Sequence, residues 1–526
     1  MRWTFWSLVM GLAASAAGAA PQVRVAEGTL QGVSLSDPDH VNAYLGIPYA
    51  AAPIGLLRWK PPRAAVHWRG VREADRFSAR CMQQPLFADM MFRSPAPSED
   101  CLTLNVWAPA GAKKGSRLPV LFYIHGGGAV AGDGSEKRYD GANMARLGVV
   151  VVTLNYRLGV FGFLATPELV AESRDHAAGN YGLLDQAAAL AWVGRNIAHF
   201  GGDAARITIG GESAGSMSVS VLMTSPLTRT HFARAIGESG GVVPPTFHPK
   251  SLAQAEEDGA AFAQAAGAPS LAALRAMPAD QLLDAQGRQK IDAGFIVDGL
   301  FLTEPPIDSF AAGRSAHVPL LVGSNSQENG WSAILGDALP TVANYRAGLN
   351  RLYADKADAL FALYPAATDA DVPAVATALA SDRFLAASTW KLFDLHRRTG
   401  QPAYYYYFTH VRPAAIPPLS NPAPIPIGAV HSAEIEYALG NIDTNPAYAW
   451  TDDDRRISAT MQGYFASFIK TGDPNMPGLP SWAPAPPGGG QIMRQTIDLD
   501  TRSVPFAEQA RYEAAIPLLE SRADHR

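Results

Sequence analysis

The chain has 526 residues, 48% of them hydrophobic and 17% charged, with a formal net charge of −5. That length supports one large core or two domains, and a mildly acidic chain without a long basic run excludes nucleic acid as an expected partner.

The N-terminus reads MRWTFWSLVMGLAASAAGAAPQ. Arg2 supplies a short positive start, Trp3 to Ala17 is apolar, and Ala17-Gly18-Ala19 fits a small-x-small cleavage site, which predicts a secretory signal over residues 1–19. The apolar run is too short and Ala-rich for a membrane anchor, and no other stretch is long enough to span a bilayer. The expected location is therefore secreted or periplasmic. Cys81 and Cys101 are the two cysteines of the chain. In an oxidising compartment they either pair or remain two buried thiols.

Further along, apolar strand-like runs alternate with helical patterns. The strands are predicted at 120–124, 149–154, 207–209, 319–323 and 403–408, with a helix from Leu183 to Phe200. Continuous apolar strands separated by helices predict a mostly parallel sheet covered on both faces. The Ala-rich segment from Leu252 to Ala285 reads as a helical insertion or cap, and Pro413 to Pro426 as a loop. No repeat and no long low-complexity linker is present.

G-x-S-x-G occurs twice, as Gly211-Glu212-Ser213-Ala214-Gly215 and as Gly237-Glu238-Ser239-Gly240-Gly241. A nucleophilic serine on this motif needs a strand before it and a helix after it. The first copy has both: Ala205 to Ile209 alternates as a strand, and Met217, Val221 and Leu222 fall at helical spacing. The second is followed by Val242-Val243-Pro244-Pro245, which argues against a helix. Ser213 is therefore the candidate nucleophile, and Ser239 a turn residue whose hydroxyl satisfies nearby backbone groups.

His125-Gly126-Gly127-Gly128 follows a predicted strand. Glycines there let backbone amides face an oxyanion, with Gly127, Gly128 and Ala214 as the expected donors. An acid and then a histidine should follow the serine in chain order. Glu328, just past the strand at 319–323, is favoured over Asp298 as the acid. His431, presented after the Pro-rich loop, is favoured over the other downstream histidines as the base.

Together these residues resemble the type B carboxylesterase family, within the α/β-hydrolase fold. The similar motifs run along nearly the whole mature chain: YLGIPYAAAPIGLLRWKPP at Tyr44, EDCLTLNVW at Glu99, HGGG at His125, NYRLGVFGFL at Asn155, GESAGS at Gly211, GSNSQENG at Gly323, GAVHSAEIEYALG at Gly428 and FASFIKTGDPN at Phe465. The resemblance implies one hydrolase domain over 20–526 and a large, mostly parallel sheet with helical insertions. It implies Ser213 as nucleophile, Glu328 as triad acid, His431 as base, and Gly127, Gly128 and Ala214 as the oxyanion hole. It also implies supporting roles for Glu212 and Ser239, and a disulfide between Cys81 and Cys101.

The chain departs from the family pattern at Gln327 and Asn329 beside the acid, and at Ser432 after the base. Residues 82–100 contain no Trp, which disfavours a choline substrate. Ala129 stands where an aromatic is common, which predicts a wider acyl side. Leu86, Phe87, Met90, Met91 and Phe92 line the pocket mouth or pack internally. The expected function is hydrolysis of small to medium carboxylic esters through an acyl-enzyme, with a small-molecule ester as partner and no metal or organic cofactor. A lipase, a carbamate or amide hydrolase, or a non-catalytic binding protein are the alternatives on the same fold.

Overall fold

In the computed structural model, residues 20–35, 40–289, 294–416 and 426–520 are described. The expected signal segment at 1–19 and most of the predicted loop at 413–426 lie outside them.

Along the strand Leu118–Ile124 every residue from Pro119 onward is buried, so neither face meets solvent. Val120, Phe122 and Ile124 pack into one apolar cluster, while Leu121 and Tyr123 pack into another. A period of two with both faces buried is the condition for a central sheet strand under helices on each side. The predicted strand at 207–209 is longer, spanning Gly202–Glu212. The predicted helix begins earlier, as Tyr181–Asn196, and tightens into a 3₁₀ turn over Ile197–Phe200.

Among the described residues the main sheet has eleven strands. In spatial order they are Arg502–Pro505, Met493–Ile497, Ala403–Phe408, Leu320–Asn325, Arg234–Glu238, Gly202–Glu212, Leu118–Ile124, Val150–Leu154, Thr103–Pro109, Val41–Pro48 and Val33–Ser34. Every neighbouring pair from Met493–Ile497 to Val150–Leu154 is parallel, and the outer pairs are antiparallel. Helices Tyr181–Asn196 and Ala214–Thr224 cover one face, and Asp452–Thr471 covers the other.

The Ala-rich segment forms helices Leu252–Ala265, Leu271–Ala276 and Ala279–Gln289. They share a satellite cluster with Phe161, Leu164 and Tyr181, as an insertion packed beside the sheet. A further helical cluster is built by Val342–Tyr353, Ala357–Leu363, Val372–Ser381 and the terminal helix Gln509–Leu519. Cys81 and Cys101 form a disulfide. No helix of the described residues is long and apolar enough to cross a membrane.

Candidate active site

Strand Gly202–Glu212 ends one residue before Ser213, and helix Ala214–Thr224 begins one residue after it. Ser213 has φ 56° and ψ −122°, a left-handed conformation that costs a non-glycine residue free energy. The turn is possible because its neighbours are small. A Cβ on Gly211 would lie 2.6 Å from the Ile124 carbonyl oxygen, and one on Gly215 would run into the same carbonyl. The result lifts the Ser213 side chain out of the strand and onto the N-terminus of a helix, where free amides favour negative charge.

Ser239 also sits at positive φ, 53°, but the helix its motif would need is missing. Its expected backbone partners are corrected: the fully buried hydroxyl donates to Glu328 Oε1 at 2.7 Å, with Glu434 Oε1 at 3.2 Å. Strand Arg234–Glu238 pairs in parallel with Leu320–Asn325, so residue 239 lands beside the turn that carries Glu328.

Glu328 Oε2 lies 2.7 Å from His431 Nδ1, across 103 residues of sequence. The two loops are joined by short bonds. Gln327 Oε1 accepts from the amides of Ile427 (2.8 Å) and Gly428 (3.0 Å). Ser326 Oγ accepts from Ala429 N, and Gln327 N donates to the Ala429 carbonyl, each at 2.8 Å. The Asn325 amide donates to Glu328 Oε1 at 2.6 Å, leaving Glu328 held on both oxygens. Asp298, the alternative acid, is occupied elsewhere: its Oδ1 accepts from the amides of Leu300, Phe301 and Leu302.

The second imidazole nitrogen, His431 Nε2, faces Glu212 Oε1 at 3.2 Å. Phe384 stands edge-on to the ring with centroids 5.4 Å apart. It is carried on a π-helical turn, Asp382–Ala386, inserted between two α-helices. Spacing arguments miss this residue because a π-turn breaks the helical period.

Burial acts to lower the pKa of the His431 imidazole. The carboxylates of Glu212, Glu328 and Glu434 outweigh it and hold it up at about 9. Burial pushes Glu212 up to about 8, against the opposing pull of His431. Burial and then Glu328 raise Glu434 to about 7, and burial and then Glu434 raise Glu238 well above the carboxylate range. Tyr123 donates to Glu238 Oε1 at 3.0 Å.

The glycine run follows strand Leu118–Ile124 and turns back on itself, with the amides of Val130 and Ala131 donating to the Gly127 carbonyl. Gly127 and Gly128 have φ 99° and 63°. A Cβ on Gly126 would lie 3.1 Å from Ser213 Cβ, so this loop lies against the elbow. Among the described residues the amides of Gly127 and Gly128 donate to no backbone carbonyl. The Ala214 amide, at the first helical position, has no intrahelical acceptor. His125 is stacked on Tyr156 with centroids 4.5 Å apart, and its Nδ1 lies 2.9 Å from the Gly126 carbonyl oxygen. Burial lowers the His125 imidazole to about 4, so it is neutral and Nδ1–H donates. The motif reading treated His125 only as part of a pattern; its fixing of the Gly126 peptide comes from the fold.

The sequence profile of the Carboxylesterase family matches residues 19–513. Fumonisin B1 esterase of Sphingopyxis macrogoltabida is 36% identical over 511 residues, covering 93% of this chain and 89% of that protein. Carboxylesterase 5A of Canis lupus familiaris is 33% identical over 518 residues, covering 91% and 86%. Liver carboxylesterase of Sus scrofa is 34% identical over 537 residues, covering 91% of each. With the parallel sheet, the serine elbow and a match over nearly its whole length, the chain belongs to the carboxylesterase family and has its α/β-hydrolase fold.

Proposed function

We propose that the chain hydrolyses small to medium carboxylic esters, with Ser213 as nucleophile, His431 as base and Glu328 as the acid that orients it. The observation that carries this reading is the His431 Nδ1–Glu328 Oε2 contact of 2.7 Å, with His431 Nε2 3.2 Å from Glu212, the residue before the elbow serine. Neutral His431 takes the Ser213 proton as Oγ attacks the ester carbonyl carbon. The amides of Gly127, Gly128 and Ala214 hold the oxyanion, each worth about 3 kcal/mol in the transition state. The protonated imidazole then gives its proton to the leaving alkoxide as the C–O bond breaks. Water repeats the cycle on the acyl-enzyme and releases the acid.

Nε2 faces Glu212 in this structure, and in the reaction it is the nitrogen that takes the Ser213 proton. Glu212 stabilises the imidazolium that forms, and Ser239 holds Glu328. Residues 20–526 act as one hydrolase unit. The Cys81–Cys101 disulfide and the apolar N-terminal stretch support an exported protein acting outside the cytoplasm.

Release of p-nitrophenol from p-nitrophenyl acetate by the full chain, abolished in Ser213→Ala, is the expected result. Equal turnover by Ser213→Ala would contradict the assignment.

A further inference from the structure

The glycine run closes on itself between residues 126 and 132, and the closure aims two of the proposed oxyanion donors. A peptide unit is planar and trans, so a carbonyl and the N–H of the next residue point opposite ways. The Gly126 carbonyl oxygen lies 2.9 Å from His125 Nδ1, which turns the Gly127 amide away from that imidazole. The Gly127 carbonyl accepts from the amides of Val130 (3.1 Å) and Ala131 (3.0 Å), which turns the Gly128 amide away from them. The peptide unit between Ala131 and Gly132 backs onto both. A Cβ on Gly127 would run into the Ala131 carbonyl. One on Gly132, which has φ 119°, would run into His125 Nδ1 and stand 2.5 Å from the Gly126 carbonyl oxygen. Any movement of Gly132 therefore moves the two peptides that carry the donors.

What fixes Gly132 is a side chain from outside the run. Gln83 stands two residues after Cys81 and is 4% exposed. Its Oε1 accepts from the Gly132 amide at 2.8 Å, and its Nε2 donates to the Gly132 carbonyl at 2.8 Å. The same Nε2 donates to the Cys81 carbonyl at 3.1 Å, beside the disulfide to Cys101. Among the described residues nothing else bonds the Gly132 backbone. A carboxamide offers a donor and an acceptor in one plane, and Gln83 spends both on a single residue.

We propose that Gln83 is a positioning residue for the oxyanion hole: by clamping Gly132 it holds the Gly127 and Gly128 amides at the angle the oxyanion needs. This rests on the ester-hydrolase reading given above. Gln83 acts through Gly132 and touches no reacting atom. Aimed donors count where charge develops, so loss of the clamp weakens binding of the tetrahedral oxyanion and leaves the proton chemistry of His431 as it was.

The test uses an alkyl trifluoromethyl ketone on the full chain. Ser213 Oγ adds to its carbonyl carbon, the π pair moves to the carbonyl oxygen as the oxyanion, and the serine proton passes to His431. Its Ki does not depend on the fraction of folded protein, so a general loss of structure does not move it. Gln83→Met keeps the volume and removes both bonds. In it Ki should rise about tenfold or more, part of the loss that deleting a donor outright produces, and kcat/KM for p-nitrophenyl acetate should fall by a similar factor. The acid limb of the pH profile should stay where the parent has it. Gln83→Ala gives a second reading with no side chain to place and should shift both constants the same way. Gln84→Ala is the control, because the neighbouring side chain bonds the Leu283 carbonyl instead, and its Ki should stay within twofold of the parent. A Gln83→Met Ki within twofold of the parent overturns the clamp. So does a loss of kcat/KM at unchanged Ki, or a shifted acid limb, which would place the defect at His431. Acetate turnover by the parent chain and its loss in Ser213→Ala test the underlying ester-hydrolase reading separately.

Discussion

His431 sits between two carboxylates, with Nδ1 2.7 Å from Glu328 and Nε2 3.2 Å from Glu212. A base must be neutral to accept the serine proton, and both carboxylates favour the charged ring. Burial opposes them, yet the imidazole is held up at about 9. Esterase activity should therefore rise with pH along an acid limb placed above the ordinary histidine value of 6.5. Glu212→Gln removes one negative charge, so the imidazolium is less favoured and the limb moves down, by about one pH unit or more. Its maximal kcat should fall, because the same charge stabilises the imidazolium formed during attack. A pH profile of kcat/KM for both proteins checks this; a limb that stays in place or moves up contradicts it.

Ser239 donates to Glu328, the carboxylate proposed to orient the base. Ser239→Ala leaves Glu328 Oε1 with only the Asn325 amide. Hydrogen bonds to charged groups contribute about 1.5–3 kcal/mol, so kcat should drop about tenfold or more and the thermal midpoint should fall with it. Steady-state kinetics and calorimetry read the two effects. A variant within twofold of the parent in kcat would show that Glu328 keeps its place without this support.

The elbow and the glycine run touch at Gly126. A Cβ there would lie 2.6 Å from the Glu212 carbonyl oxygen and 2.7 Å from Glu212 Oε2. Gly126→Ala must displace the loop from the elbow, and a misplacement of this size costs about a hundredfold in rate. Gly194, in helix Tyr181–Asn196, has open space around it. Gly194→Ala should keep full activity and stabilise the helix slightly. Equal kcat/KM for the two variants would contradict the close approach.

The disulfide closes a loop with a sequence separation of 20. Chain entropy assigns such a crosslink about 3 kcal/mol. Replacing Cys81 and Cys101 together by Ser should lower the thermal midpoint, and reductant should lower the parent's midpoint but not the variant's. Equal midpoints for parent and variant would show that the hydrogen bonds of Gln83 to Gly132 and of Arg93 to Ser135 and Asp140 hold this loop without the crosslink.

The part of the site legible in the sequence is the part built locally. Strand, turn and helix around Ser213 are contiguous, and β-branched alternation followed by helical spacing marks them before any folding. His125 to Gly128 reads the same way. Glu328 and His431 are different. Their pairing spans 103 residues and depends on the order of strands in the sheet, so spacing ranked them among several candidates and the family motifs singled them out. The resemblance implied a supporting role for Ser239, but its carboxylate partners left no mark in the sequence, and neither did the placement of Phe384 or of Arg138. Ser239 finds carboxylates because two strands run in parallel register. Phe384 reaches the imidazole because a π-turn rotates it there. Arg138 donates to Asp89 Oδ2 at 3.1 Å because the loop between the disulfide cysteines folds back against the stretch after the glycine run, where Gln83 bonds Gly132. In each, tertiary packing chooses the partner.

The proposed role of Ser213 is that of an activated nucleophile. The most direct measurement is labelling the folded, full chain with a fluorophosphonate, followed by mass mapping of the modified peptide. A single adduct on Ser213 is expected, slowed strongly in His431→Ala and absent in Ser213→Ala. An adduct on Ser239, or none on folded parent protein, would contradict it.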